Sequence, residues 1–393
     1  LYLFEMKFLL FAMVANAARF LTRDAPIDGQ YIVVFKKNLG KDAMTAHKEV
    51  ATFKNVQIAR HYSIGELFNG YSARMDQDSL NYLLDQPEID YIEQDGMAHA
   101  SDYFKTEEVP SKNEDVCATQ EGATWGLVRT SEVELNINGK YNYERDGTGA
   151  YAFVLDTGIY VEHNDFNGRA SWGANFVDSD NTDGNGHGTH CAGTIGGTKY
   201  GLAKKCRLVA VKVLSAGGSG SWSGVIDGIN YVANDARRPA TINLSLGGGF
   251  MQSVNDAVDA ATNHGRVTVV AAAGNNNGDT CQFSPASAPT AIAVGATDNM
   301  DRKASFSNHG KCMNLFAPGA AVTSTWIGNP DADNTISGTS MASPHVCGIA
   351  TKYLGTRPED APAVVKAWIL QAATGNLVTG VPANTANLLL NDM

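Results

Sequence analysis

Three short motifs contain the residue types that hydrolytic chemistry uses. Asp156 lies in VLDTGI, His187 in GNGHGTHCAG and Ser340 in SGTSMASPH. A serine hydroxyl becomes a strong nucleophile when a neighbouring imidazole takes its proton, and a carboxylate on the other ring nitrogen orients that imidazole. Aspartate, histidine, serine is one of the chain orders in which such triads occur. The candidate roles are therefore orienter for Asp156, general base and acid for His187, and nucleophile for Ser340.

Attack on a carbonyl also creates a negative oxygen that needs hydrogen-bond donors. Asn275 follows a predicted strand and a glycine in AAAGNNN, so its side-chain amide can supply one donor. Ser340 stands at the start of a predicted helix, where backbone N–H groups and the helix dipole supply another. An asparagine in such a run is also typical of a turn, and we expect this of Asn276 or Asn277.

A zinc hydrolase is the competing hypothesis, because His187 and His190 have a spacing at which two histidines can share a metal. Zinc chemistry would leave Ser340 and Asn275 without a role. We therefore expect no metal ligands at the catalytic centre, a structural role for His190, and no required cofactor.

The segments around these motifs predict an α/β fold. From about residue 118 onward, apolar strands alternate with helices, which is typical of a doubly wound, mostly parallel sheet with helices on both faces. Functional loops in such sheets lie at the carboxyl ends of the strands. The predicted strands are AYAFVLD, RLVAVKVL, ATINLSL, RVTVVAAAGN and AIAVGATD, and the predicted helices follow His187 and span Ser223 to Ala233 and Val254 to His264.

Residues 30 to 93 have the pattern of a separate, small α+β unit. Two strand–helix–strand passages follow each other there, and the polar segment from Ser101 to Val116, which lacks periodicity, follows them as an exposed linker. The passages comprise strands in QYIVVF, FNGYSARM and IDYIEQD and helices at Ala43 to Lys54 and Asp78 to Asp85.

Composition restricts the location and the partners of the protein. The chain has 393 residues, of which 44% are hydrophobic, and a net charge of −11. This charge argues against nucleic acid as a partner, since a phosphate-binding surface is basic. The run MKFLLFAMVANAA is typical of a signal peptide, with a buried N-terminal helix as the alternative. No other segment has the length of a membrane span, so we expect secretion without a membrane anchor.

Six cysteines in an exported chain can form disulfides, although their connectivity does not follow from sequence. Cys281 and Cys312 are the best candidates because they flank a segment rich in turns and strands. For Cys191 and Cys347, buried thiols and a bridge are equally compatible with the apolar sequence around them.

From Ala118 to the C-terminus the chain resembles the subtilisin family of serine endopeptidases, and within it the proteinase K-like branch. The resemblance rests on motifs that occur in family order, among them WGLVRTS, DTGIYVEHNDFNGR, DGNGHGTHCAGTIGG, LSLGGG, AAGNNN and SGTSMASPHVCGIA. Residues 30 to 95 resemble the inhibitory propeptide of that family, a ferredoxin-like domain. The resemblance implies a signal peptide at 6–17, a propeptide at 18–100, a linker with the processing region at 101–117 and a catalytic domain at 118–393.

The same resemblance implies how peptide and protein substrates bind. An extended substrate would add as a β-strand between an edge at residues 218–220 and an edge at residues 245–247. The segment 245–248 and the segment 272–274 would form small, uncharged pocket walls that favour apolar or aromatic residues before the cleaved bond. Trp222 corresponds to an aromatic on the rim of a more distant subsite, with packing as the alternative role. The implied substrate-binding residues are Gly218, Ser219, Gly220, Trp222, Ser245, Leu246, Gly247, Gly248, Ala272, Ala273 and Gly274.

Calcium is left open as a structural ion. The main calcium site of the family has an aspartate where this chain has Asn314, which lacks the charge that a hard cation prefers. The segment DSDNTDG offers Asp178, Asp180 and Asp183, but it lacks the final glutamate of an EF-hand loop.

The resemblance also implies a precursor that is inhibited by its own propeptide and whose mature chain starts near Ala118. Because the linker is longer than the family needs, cleavage anywhere within Ala98 to Ala118 stays open, and we expect a monomer. A catalytically latent complex of protease and propeptide, acting as a binding module, is the alternative. The glycosylation triplet at Asn243 falls in a predicted buried strand, so we expect it to be unmodified.

Overall fold

The computed structural model describes residues 18–101 and 118–392. The predicted signal peptide, nearly all of the predicted linker, and Cys117 lie outside these ranges. The elements below are numbered in chain order.

The first unit is a five-stranded sheet with two helices on one face. Its strands have the order β1-β5-β2-β4-β3, and the last four form the ferredoxin-like arrangement that the resemblance implies. The elements are β1 (Arg19–Leu21), β2 (Gln30–Phe35), α1 (Lys41–Phe53), β3 (Gln57–Ile64), β4 (Phe68–Arg74), α2 (Gln77–Leu84) and β5 (Ile89–Gln94).

Both faces of this sheet are buried, although only one is covered by its own helices. Side chains alternate along a strand, so Val33 and Phe35 of β2 pack with the cluster under α1 and α2. Ile32 and Val34 point the opposite way and belong to a cluster shared with the second unit. The sheet of the first unit therefore completes its burial against the second unit.

The second unit is built on a nine-stranded sheet of order β10-β11-β9-β13-β15-β17-β18-β22-β21, parallel except for the last pair. The remaining strands lie outside this sheet. In chain order the strands from β6 onward are β6 (Met97–Ala100), β7 (Ala118–Glu121), β8 (Lys140–Tyr143), β9 (Tyr151–Asp156), β10 (Ala170–Asn175), β11 (Arg207–Lys212), β12 (Ser219–Ser221), β13 (Ala240–Leu244), β14 (Leu246–Gly249), β15 (Thr268–Ala272), β16 (Phe283–Ser284), β17 (Ile292–Thr297), β18 (Leu315–Pro318), β19 (Val322–Thr325), β20 (Asp333–Ile336), β21 (Thr374–Gly375) and β22 (Leu388–Leu389).

Helices cover this sheet and its central strands are fully buried, which is why β9, β13 and β15 consist of almost continuous apolar runs. The α/β fold predicted from the alternation of strands and helices is confirmed. The helices are α3 (Trp125–Thr130), α4 (His187–Gly196), α5 (Trp222–Asn234), α6 (Gln252–Asn263), α7 (Thr339–Thr356) and α8 (Pro362–Ala372), with short 3-10 turns at Asn164–Phe166 and Thr280–Gln282.

Helix α7 runs through the centre of the second unit, and every residue from Thr339 to Leu354 is buried. Its one lysine in this stretch, Lys352, forms an ion pair with Asp392 near the C-terminus. The hydroxyl of Tyr141 donates to the same carboxylate at 2.8 Å. An ammonium group buried in this way needs such partners, because removal from water is costly for an isolated charge.

Two sequence predictions about elements differ from the structure. The run ATINLSL, predicted as one strand, is divided at Ser245 into β13 and β14, which belong to different sheets. Strand β3 was not predicted, because its alternating exposed residues make its pattern weakly apolar. Within the part of the chain that the structure describes, no helix is long and apolar enough to cross a membrane.

Candidate active site

The aspartate and the histidine of the predicted triad are in direct contact. Asp156 ends β9 and His187 begins α4, and the His187 Nδ1 donates to Asp156 Oδ1 at 2.7 Å. Both side chains are fully buried. Burial raises the pKa of the Asp156 carboxyl, and the neighbouring His187 ring and Thr157 N–H offset this only in part. The geometry fixes the His187 tautomer with its proton on Nδ1 and leaves Nε2 as the nitrogen that can accept a proton.

The glycines that flank His187 bring elements of the domain close to the ring. A Cβ on Gly186 would lie 2.5 Å from the Trp326 indole, and a Cβ on Gly188 would collide with the Gly158 carbonyl and lie 3.1 Å from the Asp156 Cβ. Gly186 also has a φ of 103°, which disfavours other residues.

Asp183 joins the Asp156 strand to the start of the His187 helix. Its two carboxylate oxygens accept from the Thr157 hydroxyl, from the N–H groups of Asn185 and Gly186, and from both the N–H and the hydroxyl of Thr189. These donors saturate a side chain that the sequence offered only as a calcium ligand. Its role was not predicted, because an acidic pattern does not show that Thr157, 26 positions earlier, shares this carboxylate with the segment from Asn185 to Thr189.

Ser340 is the second residue of α7 and is fully buried. Helices α4 and α7 pack against each other, and the Cys191 Sγ of α4 donates to the Ser340 carbonyl at 3.5 Å. The same Sγ lies within 4.8 Å of an Asp156 carboxylate oxygen and of a His187 ring nitrogen. The start of α7 thus lies beside the aspartate–histidine pair. The zinc hypothesis takes His190 as a ligand, but the His190 Nε2 is hydrogen-bonded to the Val322 carbonyl at 3.0 Å.

Asn275 has its amide oriented by a neighbouring threonine. The N–H and the hydroxyl of Thr339 both donate to Asn275 Oδ1, at 3.0 and 2.8 Å, so the NH₂ group must face the opposite way. The preceding Gly274 has a φ of 101°, and a Cβ there would collide with Asn308. The sequence indicated Asn275 itself but not the residues that fix its direction.

A segment of the chain itself occupies the cleft between the two predicted edges. Strand β6 pairs antiparallel with both β12 and β14, so that His99 lies between Ser219 and Gly247. The Ala100 N–H donates to the Gly218 carbonyl at 2.9 Å. Because both edges carry small residues, the backbone of the inserted strand can approach each of them.

Ser101, which follows β6, lies at the predicted catalytic groups. Its N–H donates to Ser340 Oγ at 3.0 Å and lies 3.4 Å from the Ser245 carbonyl. Its carbonyl oxygen accepts from Asn275 Nδ2 at 2.6 Å. The carbonyl carbon of Ser101 is therefore held beside the nucleophile, with its oxygen on the proposed oxyanion donor.

A cavity of about 340 Å³ adjoins the Ser101 side chain. Of the predicted pocket residues, those that line it are Gly247, Gly248, Ala272 and Gly274, whereas Ser245, Leu246 and Ala273 are fully buried and do not. Phe283 and Ser284 form a wall that the sequence did not indicate, since β16 reaches the site only by pairing with β14. The remaining lining residues are His99, Ala100, Ser101, Gly249, Asn275 and Asn276.

Trp222 is placed inside the apolar core rather than on an exposed rim. Its side chain is completely buried, and its ring lies under Gly248, where a Cβ would approach it to 2.9 Å. The structure thus favours the packing role that the sequence left open.

The propeptide also contacts the two helices next to the cleft. Glu93 accepts from the N–H groups of Gln252 and Ser253 at the start of α6, at 3.0 and 2.8 Å. Asp95 accepts from the N–H of Ser223 at the start of α5, at 3.2 Å. Helix N-termini favour carboxylates, while burial raises the pKa of both groups.

The candidate calcium positions have protein donors. Lys212 Nζ lies 3.0 Å from both Asp178 Oδ2 and the Asp180 carbonyl, and Asn314 Oδ1 accepts from the Ala293 N–H at 2.8 Å. Cys281 and Cys312 form the disulfide considered from the sequence, whereas Cys347 is a buried thiol.

This fold, with an aspartate–histidine pair, a buried serine at a helix start and an inserted inhibitory strand, defines a serine peptidase joined to its own inhibitor domain. The subtilase family model, peptidase S8, matches residues 147–388, and the model of peptidase inhibitor I9 matches residues 30–101. The chain belongs to the subtilase family and is a serine endopeptidase with an I9 propeptide domain.

Curated relatives and a solved structure agree with this assignment. The chain is 42% identical to subtilisin-like protease 2 of Pseudogymnoascus destructans, over 91% of this chain and 88% of the relative. It is 43% identical to a cuticle-degrading serine protease of Arthrobotrys oligospora, over 90% and 88%. The crystal structure of a cold adapted subtilisin-like serine proteinase is similar with a TM-score of 0.67 and 44% identity, covering 70% of this chain and 99% of that one.

Proposed function

We propose that this chain is the precursor of a secreted endopeptidase that first cleaves its own peptide bond after Ser101. The observation that carries the proposal is the position of Ser101, whose N–H contacts Ser340 Oγ and whose carbonyl oxygen contacts Asn275 Nδ2. The signal-peptide pattern and the disulfide support export.

In the proposed reaction, His187 Nε2 takes the hydroxyl proton as Ser340 Oγ attacks the carbonyl carbon. The new oxyanion receives hydrogen bonds from Asn275 and from the Ser340 N–H, and Asp156 stabilises the imidazolium. His187 then gives the proton to the leaving amine, and the acyl group stays on Ser340. A water that gives a proton to His187 attacks the ester, and proton return to Ser340 Oγ releases the acid. These steps use no cofactor.

The cavity beside Ser101 supports a preference for larger apolar or aromatic residues before the cleaved bond. Its volume of about 340 Å³ is much larger than a serine side chain, and glycine and alanine residues form much of the wall. Among the described residues, no Asp, Glu, Lys or Arg side chain lines it.

The test is the fate of two precursors, the natural chain and Ser340→Ala. We expect the natural chain to yield a smaller product whose N-terminus is the residue after Ser101, and the variant to remain intact. A product with a different N-terminus would refute the assignment of the bond. Casein hydrolysis by the alanine variant would refute the nucleophile.

A stable, latent complex is the second candidate, and the contacts that the propeptide makes outside the cleft favour it. The two functions separate on incubation after cleavage. An endopeptidase gains activity on casein as the propeptide is lost, whereas a latent complex keeps both fragments together and inactive.

A further inference from the structure

Three buried side chains and one backbone carbonyl form a chain of hydrogen bonds around the start of α7. Asn243 Nδ2 donates to Ser245 Oγ at 2.8 Å, and Ser245 Oγ donates to the Ser340 carbonyl at 2.7 Å. On the other side, Ser343 Oγ donates to Asn243 Oδ1 at 2.8 Å. All four residues are fully buried.

The Ser340 carbonyl is available for this contact because of Pro344. In a regular helix the carbonyl of residue 340 would accept from the N–H of residue 344, but proline has no N–H. Ser245, which lies between β13 and β14, supplies the missing donor through its Oγ. The same serine offers its carbonyl to Ser340 Oγ at 2.9 Å, so the two residues are bonded in both directions.

Ser245 also stands at the start of the substrate edge, since its carbonyl lies 3.4 Å from the Ser101 N–H. One asparagine side chain therefore fixes Ser245 on the substrate side and Ser343 on the helix side of the nucleophile. Only a side chain with a donor and an acceptor can make both contacts in this direction.

We propose that Asn243 is a positioning residue, which sets the distance between the nucleophile Ser340 and the strand that holds the substrate. The inference rests on the proposed roles of Ser340 and Ser101. Without the amide, Ser245 Oγ can turn away from the Ser340 carbonyl, and the first turn of α7 loses its register with β14.

The test compares Asn243→Ala with a matched control, Thr241→Val. Thr241 lies two residues earlier on the same strand, is equally buried, and bonds Thr351 of the same helix at 2.8 Å, far from Ser340 along the chain. Both variants lose buried hydrogen bonds between β13 and α7, so both should lower the melting temperature.

The readouts are kcat, KM and the rate of labelling by phenylmethanesulfonyl fluoride. They are measured on the enzyme that each full-length chain yields by self-processing. For Asn243→Ala we expect kcat and the labelling rate to fall together by about tenfold to a hundredfold, because small displacements of reacting groups have effects of that order. KM should change by less than about threefold, and Thr241→Val should keep kcat within about twofold of the natural enzyme.

Equal kcat values for the two variants would overturn the proposal. Should Asn243→Ala fail to fold, Ser343→Ala takes its place, with an expected loss of about threefold to tenfold in kcat, since it removes one of the two contacts; an unchanged kcat would overturn the proposal. The natural chain and Ser340→Ala are assayed in the same series, so a wrong nucleophile would be recognised separately.

Discussion

Buried carboxylates occur in two regions of this molecule, and they are neutralised in different ways. Inside the catalytic domain, Asp392 pairs with the Lys352 ammonium group. At the propeptide interface, Glu93 and Asp95 accept instead from backbone N–H groups at the starts of α6 and α5. An N–H group and a carboxylate can each return to water when the surfaces separate, whereas a lysine left alone in the core cannot. The Lys352 pair thus uses opposite charges, whereas Glu93 and Asp95 use helix ends, beside an ion pair that Arg60 of the propeptide forms with Asp227 of α5.

The largest expected effect comes from breaking the Lys352 pair with Asp392→Asn. The Lys352 ammonium would stay buried without its counter-charge, which typically costs about 3–5 kcal/mol. Urea unfolding in a Ser340→Ala background, which prevents self-digestion, measures this loss. Asp298→Asn is the control, because its pair with the largely exposed Arg302 should contribute under about 1 kcal/mol. Similar losses in both variants would contradict the distinction.

Within the core of the catalytic domain, the buried His345 ring makes stability depend on pH. Its Nδ1 lies 2.8 Å from the Met341 carbonyl, and burial lowers the pKa of the ring to about 4. The unfolded chain binds this proton near pH 6.5, so stability is complete above that pH and is lost as the pH falls toward 4, at about 1.4 kcal/mol per unit.

The check is the free energy of unfolding at pH 7 and pH 5 for the Ser340→Ala chain with and without His345→Gln. We expect the difference between the two pH values to shrink by about 2 kcal/mol in the glutamine variant. If the free energy of unfolding changed equally between the two pH values in both chains, His345 would not be the cause of the pH dependence.

Ser101→Leu tests the interface between the propeptide and the catalytic domain. Leucine would fill the cavity that serine leaves open, and burial of such a side chain contributes about 1.5–3 kcal/mol. The cleaved propeptide should then remain bound longer, and the lag between cleavage and activity should lengthen about tenfold or more. Ser101→Ala is the matched small control and should keep the natural lag. A shorter lag for Ser101→Leu would contradict the idea that the side chain at position 101 occupies the cavity.

The smallest effect is expected for Glu93→Ala. It removes the carboxylate from the start of α6, and losing a helix cap costs about 0.5–2 kcal/mol. The lag before activity should shorten about fivefold. Asp90→Ala should leave the lag unchanged, because Asp90 is partly exposed and pairs with Arg19 of the propeptide itself. An unchanged lag for Glu93→Ala would contradict the idea that helix ends help to bind the propeptide.

The sequence predicted what local patterns determine. The continuous apolar runs at β9 and β15 and the glycine-flanked motifs of His187 and Ser340 each carry their signal within a few residues. These sufficed for the α/β fold and for naming Asp156, His187, Ser340 and Asn275, which the structure gathers around one cleft.

The contacts that tune the site could not be predicted, because their partners are distant along the chain. Asp183 accepts from Thr157 across 26 positions, Phe283 reaches the cavity through β16, and Lys352 meets Asp392 across 40 positions. Trp222 shows the same limit. An aromatic residue before a helix has no local signal that separates a rim from a core.

The insertion of β6 between β12 and β14 has a consequence for the targets of the enzyme. Once the propeptide departs, two facing edges remain whose backbone groups both need a partner, and only a polypeptide stretched flat over four or five residues can satisfy them together. A tightly folded protein presents few such stretches. The enzyme should therefore attack hinges, tails and partly denatured regions first, and the local stability of a target should govern its lifetime more than its sequence does.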